Sequence, residues 1–511
     1  MIPQFLIPII GVIAVVLVAF YGFTSRGFLV HFLLLAAPIG IYFVNNPTGL
    51  LITTYALFYS GLMMPGLPQG IQVVHAMMIL FVGITVARNI ISKPSATSVP
   101  PAHRVLYFFL ILLGIVIYFR GLGLRATGSG LIGGASYIKL IFAAFFLFCA
   151  RYYTLSPRQW RRLFILMFLG SLMPISAQLL FMLSGGTIYQ QFNFVQPYVY
   201  GLIENLAGES GAGTFRLHGL AGVSSTLLVT ALILLPFRGN KRLLLFVVIG
   251  LCMVMGLLSG FRSMVVEITV VTMLYILFSA PRSMRYQYLA FFVMAVLLLF
   301  ALAIPLMPHL PYPVQRALSW LPFAEVSYLA QADATGSAQW RLQVWEYALK
   351  FVPQYLWIGR GFTFHISEIM SYGTRMDMIL EAYVTHNYHS GIISLLLDLG
   401  LPGLVLGSLF LLLCIAYSLK PLPVDAEPFI RRAHTVFRVK MLFGCFSYFL
   451  IHGDVRSTFI ALFVQLAILE GIRTTAIHEA RKMSGASPPK GEAASTRMNS
   501  GTRHTVRQPT R

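Results

Sequence analysis

Apolar stretches long enough to cross a bilayer as helices recur along almost the whole chain, and this repetition constrains the fold more than any other feature. A hydrocarbon core about 30 Å thick takes roughly 20 residues of α-helix, and within it only helices or closed barrels satisfy their own backbone groups. Runs of this kind are read at 4–22, 28–44, 49–64, 71–92, 105–119, 136–150, 163–184, 219–237, 243–258, 263–280, 286–307, 391–419, 436–452 and 456–472. Several are short, so the expectation is an all-α, polytopic integral membrane protein with about 12–14 transmembrane helices. Only 10% of the 511 residues are charged, against about a quarter in soluble domains, which excludes a soluble fold. The opening MIPQFLIPIIGVIAVVLVAFYGF has neither a basic leader nor a small-residue cleavage site and reads as a first span rather than a removed signal. Cys149, Cys252, Cys414 and Cys445 all fall in or beside apolar runs with no CxxC pair, so neither a disulfide framework nor a zinc site is expected.

Lys and Arg near span ends mark the cytoplasmic side. The loops RYYTLSPRQWRR at 151–162, RGNKR at 238–242 and PRSMR at 281–285, with the segment Lys420 to Lys440, set an orientation with both termini in the cytoplasm. The long connections 185–218 and 308–390 then fall on the outer, periplasmic face. The second is too long to be structureless, and its section WRLQVWEYALKFVPQYLWIG has the spacing and aromatic content of a helix lying along the membrane surface. The polytopic membrane domain is placed at 1–475. The remainder, 476–511, is basic and poor in apolar residues, and is expected to be a disordered cytoplasmic tail near anionic lipid heads. The net charge of +21 is spread over topology signals and tail, so membrane lipids, not nucleic acid, are the expected charged partners.

Three outer-face elements carry chemistry. TFRLHGLAG places Arg216 and His218 just before a span; LSGFRSMVVEI places Arg262 in a tight turn with Glu267 one helical turn further on; VTHNYHSG places His386, Asn387 and His389 at the mouth of a span that carries Asp398. Each has an ordinary reading. Arginines at span ends snorkel to lipid phosphate, Asn387 or Ser390 caps a helix, and Glu267 and Asp398 pair with an arginine to hold helices together. Taken together they are complementary: two guanidiniums form a fork for phosphate oxygens, and a neutral histidine accepts a proton from a hydroxyl. That combination suits transfer from a phosphorylated donor.

These passages, with WRLQVWEYALKFVPQYLWIGRGF and THNYHSGIISLLLDLGLPGLVLG in this order around a large outer loop, resemble the O-antigen ligase and polymerase superfamily of bacterial envelope glycosyltransferases over about 200–475. The resemblance implies transfer of a glycan from an undecaprenyl-diphosphate-linked donor to an acceptor hydroxyl outside the cytoplasmic membrane, the acceptor being lipid A core, another glycan or a protein. It implies that Arg216 and Arg262 bind the diphosphate and His386 activates the acceptor, with Asn387, His389, Glu267, Asp398 and Arg341 in support. No cofactor is implied. A base on the far side of the anomeric carbon favours inversion, and because Glu267 and Asp398 lie on separate spans, no paired acids are offered to a magnesium ion. A polymerase of the same superfamily is the nearest alternative. A transporter using Glu267 and Asp398 would call for matched Gly/Pro-broken spans in two halves, which the sequence does not offer, and a scaffold would need neither Arg262 nor His386.

Overall fold

The computed structural model describes residues 40–63, 72–92, 99–122, 134–184, 217–237, 240–363 and 378–483. The expected span at 4–22, most of that at 28–44, and Arg216 lie outside them. The described chain is helical: α1 Pro47–Leu57, α2 Val73–Ser92, α3 Pro101–Arg120, α4 Gly134–Ala150, α5 Pro157–Ser184, α6 His218–Leu234, α7 Lys241–Leu258, α8 Arg262–Ser279, α9 Arg285–Leu306, α10 Tyr312–Leu318, α11 Tyr328–Leu349, α12 Val352–Tyr355, α13 Met378–Val384, α14 Gly391–Ser418, α15 Pro428–Leu450 and α16 Thr458–Met483. Eight of these, α2, α3, α5, α7, α8, α9, α14 and α16, are long and apolar enough to cross a membrane, and α4 and α6 are shorter apolar helices. The protein is a polytopic membrane protein.

With no hydrophobic drive between helices in lipid, close packing and interhelical hydrogen bonds do the joining. Ser224 donates to the Cys252 carbonyl at 2.8 Å, Tyr275 to the Leu232 carbonyl at 2.7 Å, and Ser171 shares a bond with Thr226. α9 is more peripheral: only Phe292 is buried, although Tyr288, Leu289, Val296, Leu299, Phe300 and Ala303 pack partly buried against the core.

α1 ends at Leu57, short of the expected 64, and α5 begins at Pro157, inside the expected basic loop 151–162; two further boundaries differ from the sequence reading for one reason. The basic segment up to Lys440 is not a loop; α15 begins at Pro428, and its cations have partners on neighbouring helices. Arg432 donates to the Ile233 carbonyl at 2.9 Å, Arg438 lies over the Phe278 ring at 4.1 Å, and Lys440 forms an ion pair with Glu267 that Ser225 also joins. Glu267 thus pairs with a lysine of α15, not an arginine. Likewise α16 continues to Met483, past the expected start of the tail at 476. Thr475 and Ala476 are buried there, and the Trp160 indole donates to Thr475 at 2.9 Å. Packing overrides the local polarity.

The long loop 308–390 carries the helices α10 to α13 among its described residues, joined by non-helical segments, and α11, α12 and α13 build a second, smaller core. Val344 and Ala348 of α11, Tyr355 of α12, and Ala382, Tyr383 and Val384 of α13 close on Tyr388 and on Ile393 and Leu397 of α14. What fastens this layer is a break in α14. Gly400 has φ +73°, and Pro402 has no N–H for the Asp398 carbonyl four residues back. The carbonyls of Leu397 and Asp398 therefore accept from the backbone N–H groups of Arg360 at 2.6 Å and Gly361 at 2.9 Å, while Leu401 N–H donates to the Leu356 carbonyl at 2.6 Å. The segment WIGRGF thus adds the hydrogen bonds that the helix lost. It can approach so closely because a Cβ on Gly359 would stand 2.2 Å from the Asp398 carbonyl oxygen. The other side of the segment is held by α3 and α4: Arg120 donates to the Ile358 and Gly359 carbonyls, both at 2.8 Å, and the Tyr137 hydroxyl accepts from Phe362 N–H at 2.8 Å.

Candidate functional site

The THNYHS stretch is shaped by the end of α13. Asn387 N–H donates to the Ala382 carbonyl at 2.8 Å and His386 N–H to the Tyr383 carbonyl at 3.2 Å. This is the paired bond pattern that ends a helix in a left-handed residue, a place usually given to glycine. Here it is His386, at φ 56°, and His389 is left-handed as well, at φ 51°. Left-handed backbone on a side chain of this size costs energy and accumulates where the side chain is needed. Ser390 then caps α14, accepting from Ile393 N–H, so this much of the ordinary reading is met.

His386 is fully buried. Its Nδ1 lies 2.7 Å from Asp398 Oδ1 and its Nε2 lies 3.3 Å from the Thr363 carbonyl oxygen. Because a carbonyl only accepts, Nε2 carries a proton there, and the remaining nitrogen faces the carboxyl. Neither lone pair is presented to a substrate. Around this pair, Ser394 donates to Asp398 Oδ2 at 3.2 Å, the Tyr388 hydroxyl lies 3.4 Å from Asp398 Oδ1, and Arg456 donates to the His386 carbonyl at 3.2 Å. Arg360, itself 1% exposed, donates to the Tyr383 carbonyl at 2.7 Å and contacts the Tyr388 hydroxyl. Asn387 is exposed, with its backbone spent on the helix end.

His389 differs. It is partly exposed, its Nδ1 lies 2.9 Å from Nδ1 of His452, and the edge of Trp340 closes one side. Burial, then the His452 and Arg341 charges, push its pKa down to about 4 against an opposing pull from Asp454. It is therefore neutral across the physiological range.

The cationic part is larger than the sequence reading supposed. Arg262 opens α8 and donates to the Arg316 carbonyl at 3.4 Å and to Ser319 at 3.2 Å. Arg316 in turn donates to the Gly260 carbonyl at 2.8 Å and pairs with Asp333 at 2.7 Å. Arg341 of α11 lies within electrostatic reach of Arg262, of Arg316 and of the two histidines. Its buried Nε has no hydrogen-bond partner among the described residues. Three guanidiniums against one carboxylate leave unneutralised positive charge beside a neutral imidazole. Glu267 lies apart from this group, in its ion pair with Lys440.

Residues 245–407 match the sequence profile of the family described as O-antigen ligase. The membrane bundle carries an O-antigen ligase domain. No curated protein matches the chain. The O-antigen ligase domain contains Arg262, Arg316, Arg341, His386, His389 and Asp398, whereas His452, Asp454 and Arg456 follow it. Sequence reasoning passed over Arg316, Arg360 and His452. The last had a signal, since IHGDVRS is another polar cluster at the mouth of an apolar run.

Proposed function

We propose that this membrane enzyme transfers a glycan from a polyprenyl-diphosphate donor to an acceptor hydroxyl on the outer face of the cytoplasmic membrane. The arrangement that carries this reading is the joining, by Arg341, of the Arg262 and Arg316 cations to a histidine that is neutral and accessible. Arg262 and Arg341 would neutralise the leaving diphosphate, a role in which planar, always-charged guanidiniums do what a metal ion does elsewhere. His389 would take the acceptor proton. His386 suits that role less well because both its nitrogens face protein atoms, and with Asp398 it forms instead the buried frame that sets the loop. As the acceptor oxygen bonds to the anomeric carbon, the bond to the donor phosphate breaks and its electron pair leaves with the diphosphate, giving inversion. The ion pairs that occupy Glu267 and Asp398 disfavour an ion pathway. The test is purified protein with a polyprenyl-diphosphate-linked glycan and a candidate acceptor (lipid A core, a glycan repeat unit or a protein), with and without a chelator. Transfer should persist with chelator. Arg262→Lys should lower it about a hundredfold to a thousandfold by analogy with losing one oxyanion donor, and a fully active lysine variant would remove Arg262 from the clamp.

A further inference from the structure

We infer that His452, outside the O-antigen ligase domain and on the connection between α15 and α16, is a positioning residue that fixes the tautomer of His389 and stabilises its protonated form. The inference rests on the transfer reading for its kinetics, and on geometry alone for the pair itself.

The two Nδ1 atoms are 2.9 Å apart, so one must carry a proton and the other a lone pair. The connection that brings them together is rigid. Gly453 packs backbone against backbone on Gly391, where a Cβ would stand 2.6 Å from the Gly391 Cα, and Val455 N–H donates to Ser394 of α14 at 3.2 Å. The charges facing the pair are Arg341 from α11 and Asp454 from the connection itself. Burial alone would raise the Asp454 carboxyl, but Arg456, Ser457 and a backbone N–H bond hold it below the usual range, so it stays a carboxylate.

Neither Nε2 has a hydrogen-bond partner among the described residues. With His389 donating through Nδ1–H to the Nδ1 lone pair of His452, His389 presents the Nε2 lone pair outward. When that atom takes the proton of the acceptor hydroxyl, His389 becomes an imidazolium whose Nδ1–H bond to His452 is charge-assisted. The diphosphate departs with the electron pair of the broken bond to the anomeric carbon, and the proton stays on His389 until it passes to solvent, so the balance is one proton lost by the acceptor hydroxyl and one released to water. The pair works only with a single proton between the two Nδ1 atoms, since protonating both breaks the bond and opposes two cations beside Arg341.

The experiment compares His452→Ala and His452→Asn with wild type, because asparagine keeps an acceptor oxygen near the Nδ1 position and loses the second imidazole. His452→Ala should lower kcat roughly ten- to a hundredfold, the worth of one charge-assisted hydrogen bond, with KM unchanged, and His452→Asn should recover most of it. A second readout is independent of transfer: the pH dependence of carbethoxylation of His389, followed by peptide mass spectrometry on the full chain in detergent. In wild type its midpoint should lie well below 6.5; in His452→Ala it should move further down, because the neutral acceptor for the imidazolium Nδ1–H is gone, in His452→Asn it should stay near the wild-type value, and the acid limb of kcat should move with it. A wild-type kcat in His452→Ala, or a His389 midpoint in His452→Ala that stays put or rises, overturns the inference. A wild-type protein without transfer activity counts against the transfer reading, and the carbethoxylation midpoint then decides the pair alone.

Discussion

Replacing Gly359 by alanine puts a methyl group where the loop segment meets the broken helix. Its Cβ would stand 2.2 Å from the Asp398 carbonyl oxygen and 2.3 Å from the Leu399 nitrogen, where real side chains keep at least 3.0 Å. Both obstacles are backbone, so no rotamer change relieves them, and the segment must retreat by close to an ångström. Three backbone bonds, Arg360 to Leu397 and Leu401 to Leu356 at 2.6 Å and Gly361 to Asp398 at 2.9 Å, then stretch or break together. Each such bond contributes about 1 kcal/mol net, and more where a group is left buried and unpaired, so the loss should be about 2–4 kcal/mol. The same retreat withdraws Arg360 from Tyr383 and Tyr388, so transfer should fall as well. Unfolding can be followed in detergent with a thiol-reactive fluorogenic dye, since Cys149, Cys252, Cys414 and Cys445 are free and buried and react only as the bundle opens. Gly336→Ala is the control: its Cβ meets nothing within 4 Å, and an alanine inside α11 should stabilise by about 0.5–1 kcal/mol. A Gly359→Ala protein with wild-type unfolding and wild-type transfer would refute the proposed lock.

Lys440→Met strands the Glu267 carboxylate among helices and should destabilise by about 3–5 kcal/mol, whereas Glu267→Gln with Lys440→Met together should come close to wild type; a double variant no better than the single would show that the pair is not the unit. At His386 the Ala and Gly variants lose the same hydrogen bonds, but only glycine relieves the left-handed backbone, so His386→Gly should be the more stable by about 1 kcal/mol in the same unfolding assay. Equal stabilities would mean that the helix end relaxes to another conformation. For orientation, a cysteine at Ser337 in a cysteine-free variant should react with an impermeant thiol reagent in intact spheroplasts, and labelling only after lysis would move the arginine cluster to the cytoplasm.

Hydropathy alone made the helices from Val73 to Ser279 legible to within about four residues at each end, save the start of α5 at Pro157, which the basic PRQWRR had hidden in a loop, because a bilayer demands long apolar runs and little else competes with that demand. The same logic failed at Pro428–Leu450. There Arg432, Arg438 and Lys440 read as loop charges because their partners, Ile233, Phe278 and Glu267, lie roughly 160 to 200 positions away in sequence, and no local pattern reveals them. The candidate site divides in the same way. The residue types at the span mouths were visible, and so was the prospect of arginines beside histidines. Which histidine faces outward was not, since that depends on His386 closing the end of α13 and on a carbonyl of Thr363 meeting its ring. His452 joined the site only through the close approach of Gly391 and Gly453.

The segment WIGRGF is gripped from three directions, by Arg120 at the end of α3, by Tyr137 of α4 and by the broken helix α14. Two of those grips come from well before residue 245, and the histidine opposite His389 comes after residue 407. The stretch that similarity outlines is therefore a unit of inheritance but not a unit of folding. Grafted into another bundle, it would keep its arginines and lose the distances between them.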